Sequence, residues 1–325
     1  MLTCGIVILN YKDYETTEEL ISRIKDCPEI EHIVIVDNDS PNDSYTRLKK
    51  YESAKISVIQ SGRNGGYSFG NNVGARYLIE NYHVDIIGIA NPDTEFDGAF
   101  VGKIKQVFAD CPDYAVLTGL AVDPNNNSIG DNFRYYEEAT PCKLIWLQFY
   151  GAFLARFMTM FNVPPLHYKK HKAIIHSPDE VNQVWEVRGC LFFIRREDFE
   201  AAGLFDENVF MHYEEHILAF KLRRWLRRKA GIVNTLQFIH NHRYPETAIG
   251  RLNYYVHSIK MQYDSRIYYF NHYVTGNKFL QWIHIFLLKT SYLKVCIGYR
   301  VKRLYLPAES IFHVRIYFTH SNASL

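Results

Sequence analysis

Read for its apolar and polar positions, the first 120 residues fall into short apolar runs separated by helical stretches. GIVILN is a β-branched run ending at Asn10 and Tyr11, and a helical pattern follows with Leu20, Ile21 and Ile24 on one face. HIVIVDNDS is a second apolar run that stops abruptly on polar residues, and KISVIQS is a third. NNVGARYLIENY reads as a helix, and VDIIGIANPDTEF as a fourth strand ending in acids. Fully apolar strands separated by helices predict an α/β chain whose parallel sheet is covered on both faces. In such sheets a ligand lies beyond the carboxyl ends of the strands. Asn10, Asp37, Asn38, Asp39, Asn91 and Asp93 all fall at those ends. Each alone is an ordinary turn residue or helix cap. Three strand ends behaving alike point to a site.

Further along, FMHYEEHILAFKL, residues 210–222, reads as a helix whose buried stripe runs through Leu218, Leu222 and Trp225. One turn back along that stripe lie Glu214 and Glu215, with Arg223, Arg224, Arg227 and Arg228 close behind. A buried carboxylate is costly unless it is paired, protonated or used. Adjacent helical residues point about 100° apart, so the two acids cannot face one hydroxyl together. One can take a proton while the other orients a neighbour; a salt bridge to an arginine is the structural alternative. Desolvation would raise the buried acid's pKa toward a value useful to a base near neutral pH.

Two further stretches carry candidate chemistry. RNGGYSFGNNVGARYL has glycines at 65, 66, 70 and 74, which would bring backbone amides close to a ligand or let a helix pack tightly on the sheet. It is not the dinucleotide fingerprint, which follows the first strand. NPDTEF sets a carboxylate after a turn-forming Asn-Pro at a strand end, placed to hold a divalent cation through oxygen. Such a cation would offset charge on a departing diphosphate; plain turn chemistry is the alternative. His240 by itself reads as a structural histidine.

Composition narrows the field. The chain has 325 residues, 47% of them hydrophobic, enough for a full core, and its net charge of +2 gives no general pull toward nucleic acid. The six cysteines form no CxxC pair, against both a zinc knuckle and a disulfide framework. The chain runs directly into its first strand with no signal-peptide pattern, which predicts a cytosolic setting. Residues 144–163, LIWLQFYGAFLARFMTMFNV, are long and apolar enough to span a bilayer. Spanning would part Asp93 from Glu215 and bury Arg156 in lipid, so a buried insertion or an interfacial, acceptor-lipid surface is expected instead. Residues 278–306 interleave aromatics with Lys289, Lys294, Arg300, Lys302 and Arg303, a pattern suited to an anionic membrane face.

In order along the chain, ILNY, VDNDS, the N-x-G-x-x-x-G-x-N-x-G run at 64–74 and NPD resemble the nucleotide-sugar half of family 2 glycosyltransferases. GCLFFIRREDFEAAGLFDENVFMHYEEHILAFKL and FIHNH resemble the acceptor-side motifs of the same family, especially in bacterial capsule and O-antigen enzymes of rhamnosyl- or galactofuranosyltransferase type. The resemblance spans roughly residues 3–275. It implies a GT-A fold over 1–275, with a nucleotide-sugar half at 1–120 and an acceptor half at 121–275; a basic amphipathic extension follows at 276–325. It further implies that Asn10, Asp37, Asn38, Asn64, Gly66, Gly70, Asn72, Asn91 and Asp93 serve the nucleotide sugar. Asp93 would match the second acid of the family's metal motif, whose first acid is here Asn91. His240 would complete the metal site, with His242 as the alternative, for Mn2+ or Mg2+. Glu215 matches the general base, with Glu214 beside it, although many relatives carry an acid where this chain has Ile217.

The implied reaction is a single, inverting displacement from a UDP- or dTDP-linked donor onto a saccharide or lipid-linked acceptor. The protein is expected at the inner face of the cell membrane. A non-catalytic nucleotide-sugar-binding or scaffold protein is the alternative. A nucleotidyltransferase would want a basic Gly-rich loop near the start of the chain, and none is there.

Overall fold

A computed structural model describes residues 2–127, 133–134, 140–150, 153, 181–242, 245 and 247–305. In chain order the elements are β1 (Cys4–Asn10), α1 (Tyr14–Ile24), β2 (His32–Asp37), α2 (Ser44–Leu48), β3 (Ile56–Gln60), α3 (Gly66–Tyr82) and β4 (Ile86–Ala90). Next come β5 (Thr94–Glu95), α4 (Gly98–Asp110), β6 (Tyr114–Val122), β7 (Phe133–Arg134), α5 (Pro141–Phe149), β8 (Val181–Val184), β9 (Glu186–Val187) and β10 (Leu191–Arg195). The last are α6 (Arg196–Ala201), α7 (Glu214–Phe220), β11 (Lys229–His240), α8 (Ala248–Tyr269) and α9 (Lys278–Tyr305). They divide into two compact units, Met1–Glu137 with Ile174–His242, and Glu138–Ala173 with Arg243–Leu325.

The first unit is built on a sheet ordered β3-β2-β1-β4-β10-β6-β11-β5, with β8 also on β11. The four strands expected from the apolar runs are β3, β2, β1 and β4, and they are mutually parallel. Beyond them the sheet is mixed, because β10 runs antiparallel to both β4 and β6. Alternate residues of one strand face opposite sides. Ile6, Ile8, Ile33, Ile35 and Phe193 accordingly join the core under α1 and α4. Val7, Val34, Val36, Phe192 and Ile194 join a second core under α3, α6 and α7. The sheet is therefore covered on both faces, as the absence of polar alternation predicted.

Register aligns the strand ends that matter. Asn10 lies opposite Asp37, and Asp37 opposite Gln60. Ala90 lies opposite Ile8 on one side and Leu191 on the other. The fourth strand stops at Ala90, earlier than the run to Phe96 suggested. Asn91-Pro92-Asp93 forms a turn, in which Thr94 donates from its backbone N–H (3.2 Å) and its hydroxyl (2.7 Å) to the Asn91 carbonyl.

α3 lies close on the sheet because it carries glycine where a side chain would collide. A Cβ on Gly70 would come 2.3 Å from Leu9 Cδ1, and one on Gly74 2.5 Å from Val7 Cγ1 and 2.8 Å from Val36 Cγ2. These two glycines serve packing. Gly74→Val should destabilise the fold by about 1–3 kcal/mol, the usual cost of overfilling a packed core. Chemical denaturation checks this: an unchanged midpoint would mean that α3 can shift outward without loss.

The second unit holds α5, α8 and α9. Thr247 caps α8, its hydroxyl accepting from the Gly250 N–H at 3.0 Å. α8 and α9 run antiparallel: the contacts pair Phe270 with His284, Tyr263 with Tyr292, and Asn253 with Tyr299. Among the described residues, no helix is long and apolar enough to cross a membrane. Of the apolar run at 144–163, residues 144–149 end α5 and residues 150 and 153 follow it; 151–152 and 154–163 lie outside the described residues.

Candidate functional site

The carboxyl ends of β1 and β2 are braced by their own polar residues. Asn10 and Asp37 are fully buried, and the Asn10 amide donates to Asp37 Oδ1 at 2.8 Å. Thr17 donates to Asn10 Oδ1 at 3.0 Å, and the Ser40 N–H to Asp37 Oδ2 at 3.0 Å. Asn38 donates to Asn64 Oδ1 at 3.1 Å and to the Gly66 carbonyl at 3.2 Å, while Ser61 donates to its Oδ1 at 3.0 Å. These residues thus hold the strand ends and the glycine turn in register with one another. Asp39, in the left-handed region at φ 57, is the exposed member of the set.

The glycine turn is tied to the acceptor-side segment. Gly66 has φ 86, where only glycine is unstrained, and a Cβ there would fall 2.0 Å from the Phe210 carbonyl oxygen. That carbonyl accepts from the Tyr67 N–H at 2.8 Å. Asn72, expected to meet the nucleotide sugar, has both amide atoms occupied elsewhere. Its nitrogen donates to the Phe205 carbonyl (3.0 Å) and to Glu207 Oε1 (2.9 Å), and its oxygen accepts from the Phe205 N–H (3.0 Å). With Gly70, it belongs to the joint between α3 and its neighbours.

Helix α7 begins at Glu214, not at Phe210 as the apolar period suggested. His212 and Tyr213 both adopt left-handed backbone, at φ 67 and 71, and break the helix just before the two acids. Two consecutive non-glycine residues in that region carry strain of the kind found at functional sites. Starting the helix there puts Glu214 and Glu215 in its first turn, where the helix dipole favours negative charge. Glu214 is 5% exposed, and its Oε2 lacks a hydrogen-bond partner. Burial, and then repulsion from Glu215, push its pKa well above the carboxylate range. Glu215 is partly open, and its Oε1 accepts from the Gly189 N–H at 2.9 Å. Two of the arginines expected as partners turn elsewhere: Arg228 binds Asp198 at 2.8 Å, and Arg223 donates to the Val184 carbonyl at 2.9 Å.

Asp93 sits between two histidines from the end of β11. Its Oδ2 lies 3.3 Å from His240 Nε2 and 3.2 Å from His242 Nδ1. The Asn241 N–H donates to the Asp93 carbonyl at 2.8 Å, locking the two segments together. Burial opposes charge on Asp93, but the two histidines outweigh it and hold the carboxyl well below its usual range. Burial likewise opposes charge on His240, and Asp93 and Cys190 beside it raise its pKa to about 10. One ligand atom from each of the three residues lies within 4.8 Å of the others. Asp93 Oδ1 is buried without a hydrogen-bond partner. Carboxylate oxygen is a donor that Mn2+ and Mg2+ accept, and imidazole nitrogen is a donor of transition-metal ions, so an orphaned ligand atom in such a cluster fits a bound divalent ion. Both histidines therefore join Asp93; neither replaces the other.

The metal-competent cluster and the glutamates approach each other through Gly189 and Cys190. The Cys190 carbonyl accepts from the Asn91 N–H at 2.8 Å, while Gly189 holds Glu215. Tyr67 closes the group: its hydroxyl donates to the Gly189 carbonyl. Burial raises its pKa well above the usual value, and Glu215, Glu214, Cys190 and Asp93 add to that in turn. Tyr67 and the Gly189–Cys190 pair lie within the RNGGYSFGNNVGARYL and GCLFF stretches, but a tyrosine in a glycine-rich turn carries no separate signal in the sequence. All of these residues belong to the first unit.

The chain is 28% identical over 221 residues to the low-salt glycan biosynthesis hexosyltransferase Agl10 of Haloferax volcanii. That stretch covers 68% of this chain and 61% of the relative, so the chain spans under two thirds of the length of the curated relative it matches. GalNAc-T7, solved with UDP, GalNAc and Mn2+, superposes with a TM-score of 0.54 at 14% identity, over 94% of this chain and 58% of that one. The mannosyltransferase PcManGT of Pyrobaculum calidifontis, solved with GDP-Man and Mn2+, gives 0.52 at 11% identity, over 95% and 76%. S. aureus TarS 1-349 with UDP-GlcNAc gives 0.50 at 13%, over 90% and 83%. These likenesses establish the GT-A fold. Residues 5–169, half of the sequence, match the profile described as glycosyl transferase family 2, and the chain belongs to that family.

Proposed function

We propose that the chain transfers a sugar from a nucleoside diphosphate sugar to a saccharide acceptor, with inversion at the anomeric carbon. The observation that carries this reading is the meeting of two groups at one strand end. Asp93, His240 and His242 converge there, and Glu215 is held one peptide away through Gly189. Asp93 and the two histidines would hold Mn2+ or Mg2+, which when bound supplies positive charge to a diphosphate. Glu215, fixed by the Gly189 N–H and partly open, takes the proton of the acceptor hydroxyl as that oxygen attacks. Burial disfavours the charged form of Glu214 beside it. The exposed turn after β1 and Asp39 after β2 lie where the nucleoside would enter. The donor is UDP- or dTDP-linked, in keeping with the UDP and UDP-GlcNAc found in structures of the same fold. The acceptor is a saccharide carried on lipid, in surface polysaccharide synthesis of the capsule or O-antigen kind, with rhamnosyl or galactofuranosyl transfer the leading case. The enzyme works at the inner face of the cell membrane.

A thermal-shift screen tests the donor assignment, since a ligand raises stability with its concentration relative to its dissociation constant. UDP- or dTDP-sugars should raise the melting temperature with Mn2+ present and do so much less with a chelator. Nucleoside diphosphate should then be released when a saccharide acceptor is added. Binding without release over a panel of acceptors would favour a non-catalytic scaffold, and no metal-dependent shift with any nucleotide sugar would overturn the reading.

A further inference from the structure

Helix α9 turns two polar side chains inward and three aromatic ones outward. Packed side chains of a helix are ordinarily apolar and its free face polar. Here the packed side holds Gln281, 6% exposed, and His284, 1% exposed, whereas Phe279, Trp282 and Phe286 stand 67%, 63% and 53% exposed. Gln281 is well used inside: its amide donates to the carbonyls of Asn271 (3.1 Å) and Thr275 (2.8 Å) and so fixes the turn leading into the helix. His284 lies flat on Phe270, with ring centroids 3.9 Å apart. Neither ring nitrogen has a hydrogen-bond partner, and burial lowers its pKa to about 3. Gln281 and His284 are thus turned inward beside Leu287 and Leu288, while the largest apolar side chains of this helix face outward.

The outward residues form one line. Trp282, Phe286, Lys289, Leu293, Ile297 and Arg300 recur at the three-to-four spacing of a single helical face, and all are exposed. At about 1.5 Å per residue the line runs for close to 30 Å. Trp282 and Phe286 stack on one another along it, with centroids 5.9 Å apart. A patch of this size exposed to water is unusual and marks a contact surface. Its charge identifies the partner. From Lys278 to Tyr305 the helix contains no aspartate or glutamate, while Lys289 and Arg300 sit within the line itself. Aromatic and aliphatic side chains interrupted only by cations match the interface of a lipid bilayer with negatively charged headgroups. The apolar side chains enter the acyl boundary, and the long basic side chains reach back to the headgroups. Among the described residues no helix is long and apolar enough to cross a membrane, and cations set within an apolar face suit a helix lying along a bilayer surface.

We propose that this outer face of α9 docks the protein on an anionic lipid surface. This rests on the preceding reading only for placing the acceptor at a membrane, and docking itself needs no catalysis. The test is flotation of the full chain with vesicles of phosphatidylcholine, with or without phosphatidylglycerol. Three forms are compared: the parent, a Lys289→Glu/Arg300→Glu double variant and a Trp282→Ser/Phe286→Ser double variant. All four positions are exposed, so helix content by circular dichroism should match in the three proteins. The parent should float with the anionic vesicles, less at high salt, where surface attraction is screened. Each double variant should lose roughly tenfold or more in partitioning, the charge-reversed form because each basic side chain near such a surface contributes several-fold. Equal binding to both vesicle types, binding to neither, or variants that partition like the parent would overturn the proposal. So would a parent that light scattering shows to be a dimer and that Trp282→Ser/Phe286→Ser dissociates, because a second copy would then own this face. Mn2+-dependent donor binding, measured on the same samples, separates the two readings. Donor binding without vesicle binding rejects docking alone, and vesicle binding without donor binding rejects the catalytic assignment alone.

Discussion

Replacing Glu215 with glutamine should lower turnover by about 10²–10⁴-fold, the range lost when a positioned base can no longer accept a proton, while leaving donor affinity nearly unchanged. The amide keeps the shape of the side chain and can still accept from the Gly189 N–H, so the loss is chemical rather than structural. Glu214→Gln should behave differently. Burial and the neighbouring Glu215 already favour the uncharged form of Glu214, and an amide is a close stand-in for a neutral carboxyl. Turnover in that variant should stay within a few-fold of the parent, with stability equal or slightly raised because no buried charge is left unpaired. Measuring kcat and donor affinity for both variants decides the roles. If Glu214→Gln loses turnover and Glu215→Gln keeps it, the roles are exchanged; if both keep it, neither residue is the base. Gly189→Ala is a useful companion, since its Cβ would lie 2.7 Å from Glu215 Oε1 and displace the carboxylate without removing it.

What could be read from the sequence, and what could not, follows from the range of the forces involved. The parallel strands were legible because burial on both faces leaves runs such as HIVIV with no polar alternation. Glu214 and Glu215 stood out because a buried helical stripe should not end in acids. The start of their helix was not legible. Phe210 to Tyr213 continue the helical spacing, and nothing local announces that His212 and Tyr213 turn left-handed. Asn72 meets groups that no local pattern points to. An asparagine in a glycine-rich turn suits a ligand or a backbone equally well, and only the fold shows Phe205 and Glu207 waiting 133 and 135 residues away. The choice between His240 and His242 was likewise open, because two residues apart along an extended chain end does not say which ring turns toward Asp93. In α9 the alternation of aromatic and basic residues was evident, but not that Gln281 and His284 face inward.

Asp93→Ala should abolish Mn2+-dependent binding of UDP or dTDP without unfolding the chain. The turn that carries Asp93 is held by its backbone: its carbonyl accepts from the Asn241 N–H and the Asn91 N–H donates to Cys190, neither of which needs the side chain. The carboxylate is the one negative group among the three that would hold the ion, so its loss leaves only two neutral or protonated imidazoles. Removing an outer-sphere partner of a metal ligand usually costs about 10–100-fold in affinity, and removing the sole anionic ligand should cost more. His240→Ala and His242→Ala should each weaken Mn2+ binding by a smaller factor, because Asp93 and the other imidazole remain. Calorimetry with Mn2+ alone, and then with UDP in its presence, measures both steps independently of any acceptor or turnover. Circular dichroism on the same proteins checks that the fold persists. Unchanged Mn2+ affinity in Asp93→Ala would remove the cluster from the reaction and leave the three residues as an ionic cluster with a structural task.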